Sequence, residues 1–379
     1  MPKRGSTFTK SLPAGLIDNQ ESYPFKKGLI SLDNDKLSFA MKHYGSEEYA
    51  KISITEMPNL LIGGTLMSGK SSLVNSILAT ILMCTKPDEV KLVLIDSKKI
   101  EFSIYNGIPH LLTPVISDPK RATIALKRMV GEVERRYDVF KESTTRNIDD
   151  YNRYVDKLNE ELPESEKIKH MPYILIAIDE FTPITSVEAI DMIEHISSLG
   201  YPAGVHIVLV VNHPSSNVIS RLAQGNFSSR ISFRTVSRQD SRMILDENGA
   251  EELVGKGVCL YKDIQNIKSI KLEVPYISDM SLRAIIDYAC QQQKSMYTNG
   301  LLKENKNYVS ELDDGYEEPL YDEIVDFVVS SGKASASLLQ RRFRLGYNRA
   351  ARCIDLLEER GIIGPQNGSK PREVLKKKY

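Results

Sequence analysis

The chain has 379 residues, with 50 Lys and Arg against 50 Asp and Glu and a formal net charge of zero at pH 7. That length allows two or three domains and a large core, and the charge balance excludes a uniformly basic coat, so any nucleic-acid contact has to come from local patches. Four cysteines without a CxxC pair and six scattered histidines exclude a disulfide framework and a zinc site, and read as reduced thiols of a cytoplasmic protein.

Residues 1–25 are polar, and "MPKRGSTFTKSLPAG" is basic without the apolar core of a secretory signal. Residues 26–57 read as short strands and turns, so 1–57 together form an N-terminal extension with a small β-rich portion. From 58 to 262 short apolar runs alternate with helical stretches. The runs "NLLIGG" (59–64), "VKLVLID" (90–96), "YILIAID" (173–179), "HIVLVV" (206–211) and "RISFRT" (230–235) suit buried parallel strands. Helical patterns fill 120–142 and 187–199. The alternation predicts an α/β domain over 58–292 with a mostly parallel sheet. The longest apolar stretch, around "LVNSILATILM", is too short to span a bilayer and reads as a buried helix. Residues 293–318 are polar and aperiodic, a linker. Periodicity returns over 319–379, enough for one small domain.

The stretch "GTLMSGKS" fits G-x-x-x-x-G-K-[ST] from Gly64 to Ser71, between a strand-like run and a helix-like run. Gly64 and Gly69 permit the tight turn that aims backbone N–H groups at phosphate oxygens, with Thr65 and Ser68 inside the loop. Lys70 reaches the β- and γ-phosphates, the Ser71 hydroxyl ligates Mg²⁺, and Ser72 continues into a helix whose positive end faces the anion. A glycine-rich turn with no ligand is the plainer reading of the same residues. The other half of a nucleotide site is an acidic strand end, and "ILIAIDEF" supplies one: Asp179 to hold Mg²⁺ through water, Glu180 to orient and deprotonate the attacking water. Asp96, ending "LVLID", is either a second carboxylate behind these or a strand-end cap. Asn212, ending "HIVLVVN", is either a γ-phosphate sensor or part of a turn before Pro214.

In the last domain, Ser337 is the expected cap of the helix "LLQRRF", Gly346 supplies a turn, and "NRAARCIDLLEERG" gives a second helix with Ala351, Ile354 and Leu357 on its apolar face. Two helices joined by such a turn make a helix-turn-helix, and "IIGPQNGSKPREVL" suits a two-stranded wing around Asn367–Gly368. Arg341, Arg342, Arg344, Arg349 and Arg352 crowd this module. Asn348, Arg349 and Arg352 begin the second helix, the part that enters a major groove, while Lys370 and Arg372 suit phosphates. A winged helix used only for protein contacts is the alternative.

Taken together these segments resemble the motor domain of the FtsK/SpoIIIE family of double-stranded DNA translocases. The likeness rests on "LVLIDSKKIEFSIYNGIPHLLTPVISD" (92–118), "EVERRYDVF" (132–140), "RNIDDYN" (146–152), "MPYILIAIDEF" (171–181) and "DSRMILDENGAEELVGKG" (240–257) around the phosphate loop. The stretch "SASLLQRRFRLGYNRAARCIDLLEERGIIGP" (335–365) is similar to the family's C-terminal gamma winged helix. The resemblance implies a RecA-like P-loop ATPase core followed by a winged helix. It implies a ring, usually a hexamer, that encircles duplex DNA and moves it with ATP and Mg²⁺, in processes such as chromosome or plasmid segregation. It carries the phosphate-loop roles onto Gly64, Gly69, Lys70, Ser71 and Ser72, the Mg²⁺ and water roles onto Asp179 and Glu180, and subunit-boundary arginines onto Arg230 and Arg242.

Four positions depart from the family: Met67 stands where glycine is common, Asn212 and His213 replace Gln and Arg, and Tyr201 stands where an arginine reaches the neighbour's ATP. The family's membrane spans and long linker have no counterpart here, so the chain reads as a stand-alone motor of a mobile element. Any recombinase or partition partner is left unnamed by the sequence. The alternative is a nucleotide-binding DNA clamp or partition-like adaptor with weak hydrolysis. A coupling ATPase for conjugation or secretion is a third reading, which the winged helix disfavours.

Overall fold

The computed structural model describes residues 22–32, 36–57, 59–180, 186–212, 225–263, 268–298 and 321–343, and short pieces at 350, 353–354, 356–358, 362–364 and 374–375. The chain divides into two compact units, Met1–Leu302 and Lys303–Tyr379.

The first unit is built on a nine-stranded sheet. Five parallel strands form one side of it, with β4 at the edge: β3 (Asn59–Gly63), β4 (Val90–Asp96), β5 (Tyr173–Asp179), β6 (Val205–Val211) and β7 (Ser229–Phe233). These are the five runs that the apolar pattern predicts. They are rich in Val, Ile and Leu because both faces are covered: every residue of β5 and β6 is buried. The full order is β2-β1-β9-β8-β7-β3-β6-β5-β4. Beyond β7 the sheet turns antiparallel through β8 (Val258–Lys262), β9 (Ile270–Glu273), β1 (Ser38–His43) and β2 (Tyr49–Ser53). Helices α2 (Lys70–Cys84), α3 (Pro119–Ser143), α4 (Ile148–Glu161), α5 (Val187–Leu199), α6 (Arg238–Leu245) and α7 (Asp279–Gln292) complete the layers. Among them α3 packs on α5 and α2 on α7.

Near the start of the chain the structure departs from the expected strands and turns. Tyr23–Ile30 is a helix, α1. Pro24 presets its first turn, and Phe25 and Leu29, one helical turn apart, bury the same face. Gly28 lets α1 lie close on the sheet, since a Cβ there would stand 3.1 Å from Ala40 Cβ and 3.2 Å from a Tyr49 ring carbon.

Parallel strands end on one edge. The loops leaving β3, β4, β5 and β6 therefore converge. Register confirms it: Asp96 pairs with Asp179, and Val211 with Gly63.

The second unit has its own small core. Helices α8 (Tyr321–Ser331) and α9 (Ala336–Phe343) contribute Ile324, Val328 and Leu339, which pack with Cys353, Ile354, Leu357 and Ile363. The cap of α9 is Ser335 rather than Ser337: the Leu338 N–H donates to Ser335 Oγ at 3.3 Å, and Ser337 lies inside the helix. An antiparallel bridge joins Ile363 to Val374, and the Leu375 N–H donates to Ile362 O at 2.9 Å, so the chain pairs on either side of the expected wing turn. Asn367 and Gly368 lie outside the described residues.

Candidate functional site

The loop Gly64–Gly69 joins β3 to α2 and is fastened at both shoulders. Thr65 donates its N–H to Arg234 O at 2.8 Å and its hydroxyl to the same oxygen at 3.1 Å. Ser68 Oγ donates to Thr65 O at 2.7 Å, and the Gly257 N–H donates to Ser68 O at 3.1 Å. Gly64 and Gly69 have φ of 145° and 120°, and each is crowded. A Cβ on Gly64 would come within 2.8 Å of Phe233 Cβ, and one on Gly69 within 2.7 Å of Gly257 Cα. Both positions therefore require glycine. Met67, the family departure, also sits in the left-handed region at φ 58°, with its side chain wholly in solvent. The backbone takes the turn without a glycine at a cost of roughly 1–2 kcal/mol, and the methionine blocks nothing.

Lys70 is buried at the start of α2. Its Nζ donates to Gly64 O at 2.8 Å and Thr65 O at 2.5 Å. Burial lowers its pKa to about 8 against the opposing pull of Asp179 and Glu180. A cation held only by loop carbonyls in a half-dry site gains from exchanging them for phosphate oxygens. Ser71 Oγ donates to Glu101 Oε1 at 2.8 Å, and Ser72 is exposed on the first turn of the helix.

Asp179 is buried at the end of β5. Burial, then the charges of Glu101, Asp96 and Glu180, push its pKa up to about 7. That concentration of carboxylates around one buried acid is an environment that a divalent cation relieves. Among the described residues no three His, Cys, Asp or Glu side chains form a complete metal cage. The Asp179 carboxylate and the Ser71 hydroxyl are oxygen donors of the kind that suits Mg²⁺, which keeps most of its ligands as water and phosphate. Glu180 follows with φ 56°, and its carboxylate is ion-paired with Lys98. Asn212 is half-buried at the end of β6, one residue beyond the partner of Gly63, which sets it beside the phosphate loop; His213 lies outside the described residues.

Asp96 serves both of its readings, since its charge acts on Asp179 while its oxygens cap the strand end. Its Oδ1 accepts the N–H groups of Lys98 and Lys99, and its Oδ2 those of Glu101 and Phe102, all at 3.0 Å. It is a cap that shapes the loop leaving β4, and that loop carries two site residues that sequence reasoning missed, Lys98 and Glu101. Gly257 was missed as well. Their signal lay inside "LIDSKKIEF" and "ELVGKG", matched as segments but not read residue by residue.

The two boundary arginines differ. Arg230 is buried on β7, where Nε donates to Phe227 O at 2.8 Å, Nη1 donates to Ile244 O at 3.3 Å, and the guanidinium pairs with Asp246. It clamps the end of α6 to the sheet. Arg242 is exposed on α6, with Nε donating to Asn248 Oδ1 at 2.8 Å. Tyr201 precedes β6 and therefore lies at the opposite edge of the sheet, its ring edge-on to His206 at 6.0 Å. The turn bearing it is pinned from α3 and α4. Arg136 Nη1 donates to Ala203 O at 2.7 Å, Tyr137 OH to Leu199 O at 3.0 Å, and the Ile148 N–H to Pro202 O at 2.9 Å.

Of the expected DNA-contacting residues, Arg342 is exposed on α9 with its guanidinium 5.7 Å from the centre of the Phe327 ring. Arg341 is placed in α9, with its side chain outside what is described. Arg344, Asn348, Arg349, Arg352, Lys370 and Arg372 lie outside the described residues.

Comparisons with known proteins agree with this architecture. The FtsK/SpoIIIE family matches residues 24–230, and the Ftsk gamma domain, a winged helix, matches residues 315–377. The chain is 43% identical over 343 residues to the DNA translocase FtsK of Oceanobacillus iheyensis, covering 90% of this chain and 43% of that protein. It is 42% identical over 349 residues to the DNA translocase SpoIIIE of Bacillus subtilis, covering 91% and 44%. It thus spans less than half the length of these relatives. Among solved structures, the pCW3 conjugation coupling protein TcpA with ATPgS superposes with a TM-score of 0.56 at 21% identity, over 68% of this chain and 71% of that one. The Type VII secretion ATPase EccC of Thermomonospora curvata gives 0.57 at 22%, over 76% and 35%. Both establish the P-loop ATPase fold. With more than half of its length matched by one family and its C-terminal end by that family's gamma domain, the chain belongs to the FtsK/SpoIIIE family.

Proposed function

We propose that this chain is an ATP-driven motor that moves along double-stranded DNA, with its C-terminal winged helix reading the DNA. The observation that carries the reading is the meeting, at one edge of the parallel sheet, of the fastened glycine loop, buried Lys70 and the Asp179–Glu180 strand end. Relatives called DNA translocases, at 42–43% identity over nine-tenths of the chain, supply DNA as the substrate.

Lys70 gives up the Gly64 and Thr65 carbonyls for the β- and γ-phosphates, and the loop N–H groups face the same oxygens. Mg²⁺, held by the Ser71 hydroxyl and by Asp179 through water, supplies positive charge to the phosphates. Glu180 orients the attacking water and takes its proton, which needs a carboxylate with free lone pairs. Asn212, beside the loop, senses the γ-phosphate. Subunits assemble as a ring, usually a hexamer in this family, around the duplex. Arg242 is the candidate to reach a neighbour's site, because Arg230 is committed inside its own subunit. The DNA contacts expected of the winged helix are Arg341, Arg342, Arg344, Asn348, Arg349 and Arg352, with Lys370 and Arg372 for phosphates.

Two measurements test this. Lys70→Ala is expected to abolish binding of a fluorescent ATP analogue, and Glu180→Gln to retain binding while lowering turnover about a hundredfold or more. Displacement of a triplex-forming strand from duplex DNA reports movement. ATP binding without displacement would make the chain a nucleotide-switched clamp instead.

A further inference from the structure

The nucleotide loop is not the only element that reaches the hydrolytic groups. The turn leaving β4, residues 97–102, touches two of them: Lys98 pairs with Glu180, and Glu101 accepts the Ser71 hydroxyl. We propose that Lys98 is a positioning residue that holds the water-activating carboxylate of Glu180 out of service in the resting site. The proposal rests on reading Gly64–Ser71 and Asp179–Glu180 as an ATP site.

Chemistry gives the pair its consequence. An ammonium bonded to a carboxylate occupies the lone pairs that a base needs to receive a proton from water. Glu180 paired with Lys98 is therefore a poor partner for water. The pairing is mutual, since Glu180 raises the pKa of Lys98 and keeps its ammonium charged.

The structure also makes the pair easy to exchange. Asp96 accepts four backbone N–H groups from the turn, so the Lys98 backbone is fixed and only its side chain has to move. The Lys98 side chain is 44% exposed, with open solvent to swing into, whereas that of Glu180 is 13% exposed and stays in the site. A half-exposed pair of this kind is worth little in stability, so breaking it is compatible with rapid cycling. Glu180 itself has left-handed backbone at φ 56°, an uncommon conformation for glutamate, so the carboxylate is presented from a constrained position. Glu101 acts differently. A serine that donates its proton to Glu101 keeps its lone pairs for a cation, so that bond persists through the cycle and does not oppose hydrolysis.

The experiment uses the full chain. Lys98→Gln and Lys98→Met are expected to raise DNA-free ATP hydrolysis about threefold or more, the equivalent of one half-exposed ion pair. Lys98→Arg, which restores the pair, is expected to keep the low basal rate. A second readout needs no turnover: acylation of Lys98 by an amine-reactive ester, followed by mass spectrometry without nucleotide, is expected to be severalfold slower in the wild type than in Glu180→Gln. A DNA-free rate that falls or stays level in Lys98→Gln, or equal labelling of Lys98 in both proteins, overturns the proposal while leaving the ATP site intact. A wild-type chain that neither binds nor hydrolyses ATP overturns both.

Discussion

At the scale of single residues, the phosphate loop depends on contacts that leave no room for a side chain. Gly69→Ala would force a Cβ to 2.7 Å from Gly257 Cα with φ at 120°. It is expected to lower stability by about 1–3 kcal/mol and to abolish binding of the ATP analogue, as chemical denaturation and fluorescence titration would show. Wild-type binding in that variant would mean that the loop is not built as described. The loop, Lys70 and the Asp179–Glu180 pair were legible from spacing alone, because phosphate binding demands fixed residue types between a strand and a helix. Lys98, Glu101 and Gly257 were not. Each acts through a contact between segments distant in sequence, and nothing local in "DSKKIEF" tells which lysine meets Glu180. Arg230 shows the converse: the resemblance offers it as a subunit-boundary arginine, and its place on the all-buried strand β7 binds it to Phe227, Ile244 and Asp246.

At the scale of elements, the segment "EVERRYDVF" is explained by what α3 does for the turn before β6. Glu132 is fully buried, with Arg135 Nε at 2.8 Å and Arg136 Nε at 2.7 Å, and Arg136 passes the connection on to Ala203 O. Burial works against the Glu132 charge, but the two arginines more than offset it and hold the carboxyl down at about 2 against an ordinary 4.5. A carboxyl with a depressed folded pKa contributes stability that is fully present above about 4.5 and is lost as pH falls toward about 2. Glu132→Gln is therefore expected to be less stable at neutral pH by about 3–5 kcal/mol, the cost of taking the carboxylate away from buried Arg136. It should also lose less stability than the wild type on acidification, measured by urea denaturation between those pH values. Equal acid sensitivity in the two proteins would contradict this. The five parallel strands were readable because burial on both faces leaves unbroken apolar runs. Helix α1 was not, because the large apolar side chains it is seen to bury are just Phe25 and Leu29 and its register depends on the sheet beneath. The antiparallel strands β8 and β9 are short and mixed in polarity, and the neighbouring strands give them their pairing.

At the scale of the whole molecule, the two compact units make separate predictions. A chain ending at residue 302 keeps the entire nine-stranded sheet. It is expected to retain nucleotide binding and basal hydrolysis while losing any preference among DNA sequences, read by competition binding with duplexes of different sequence; an unchanged preference would remove the winged helix from the DNA-reading role. In the described part no helix is long and apolar enough to cross a bilayer. The family departure at Met67 leaves the loop built, since its side chain lies in solvent while its backbone takes the turn. The most direct test of the central claim is the ATP hydrolysis rate of the full chain with and without long duplex DNA. A severalfold rise with DNA that vanishes in Lys70→Ala and Glu180→Gln is the predicted result, and a rate indifferent to DNA in a chain that binds ATP would contradict it.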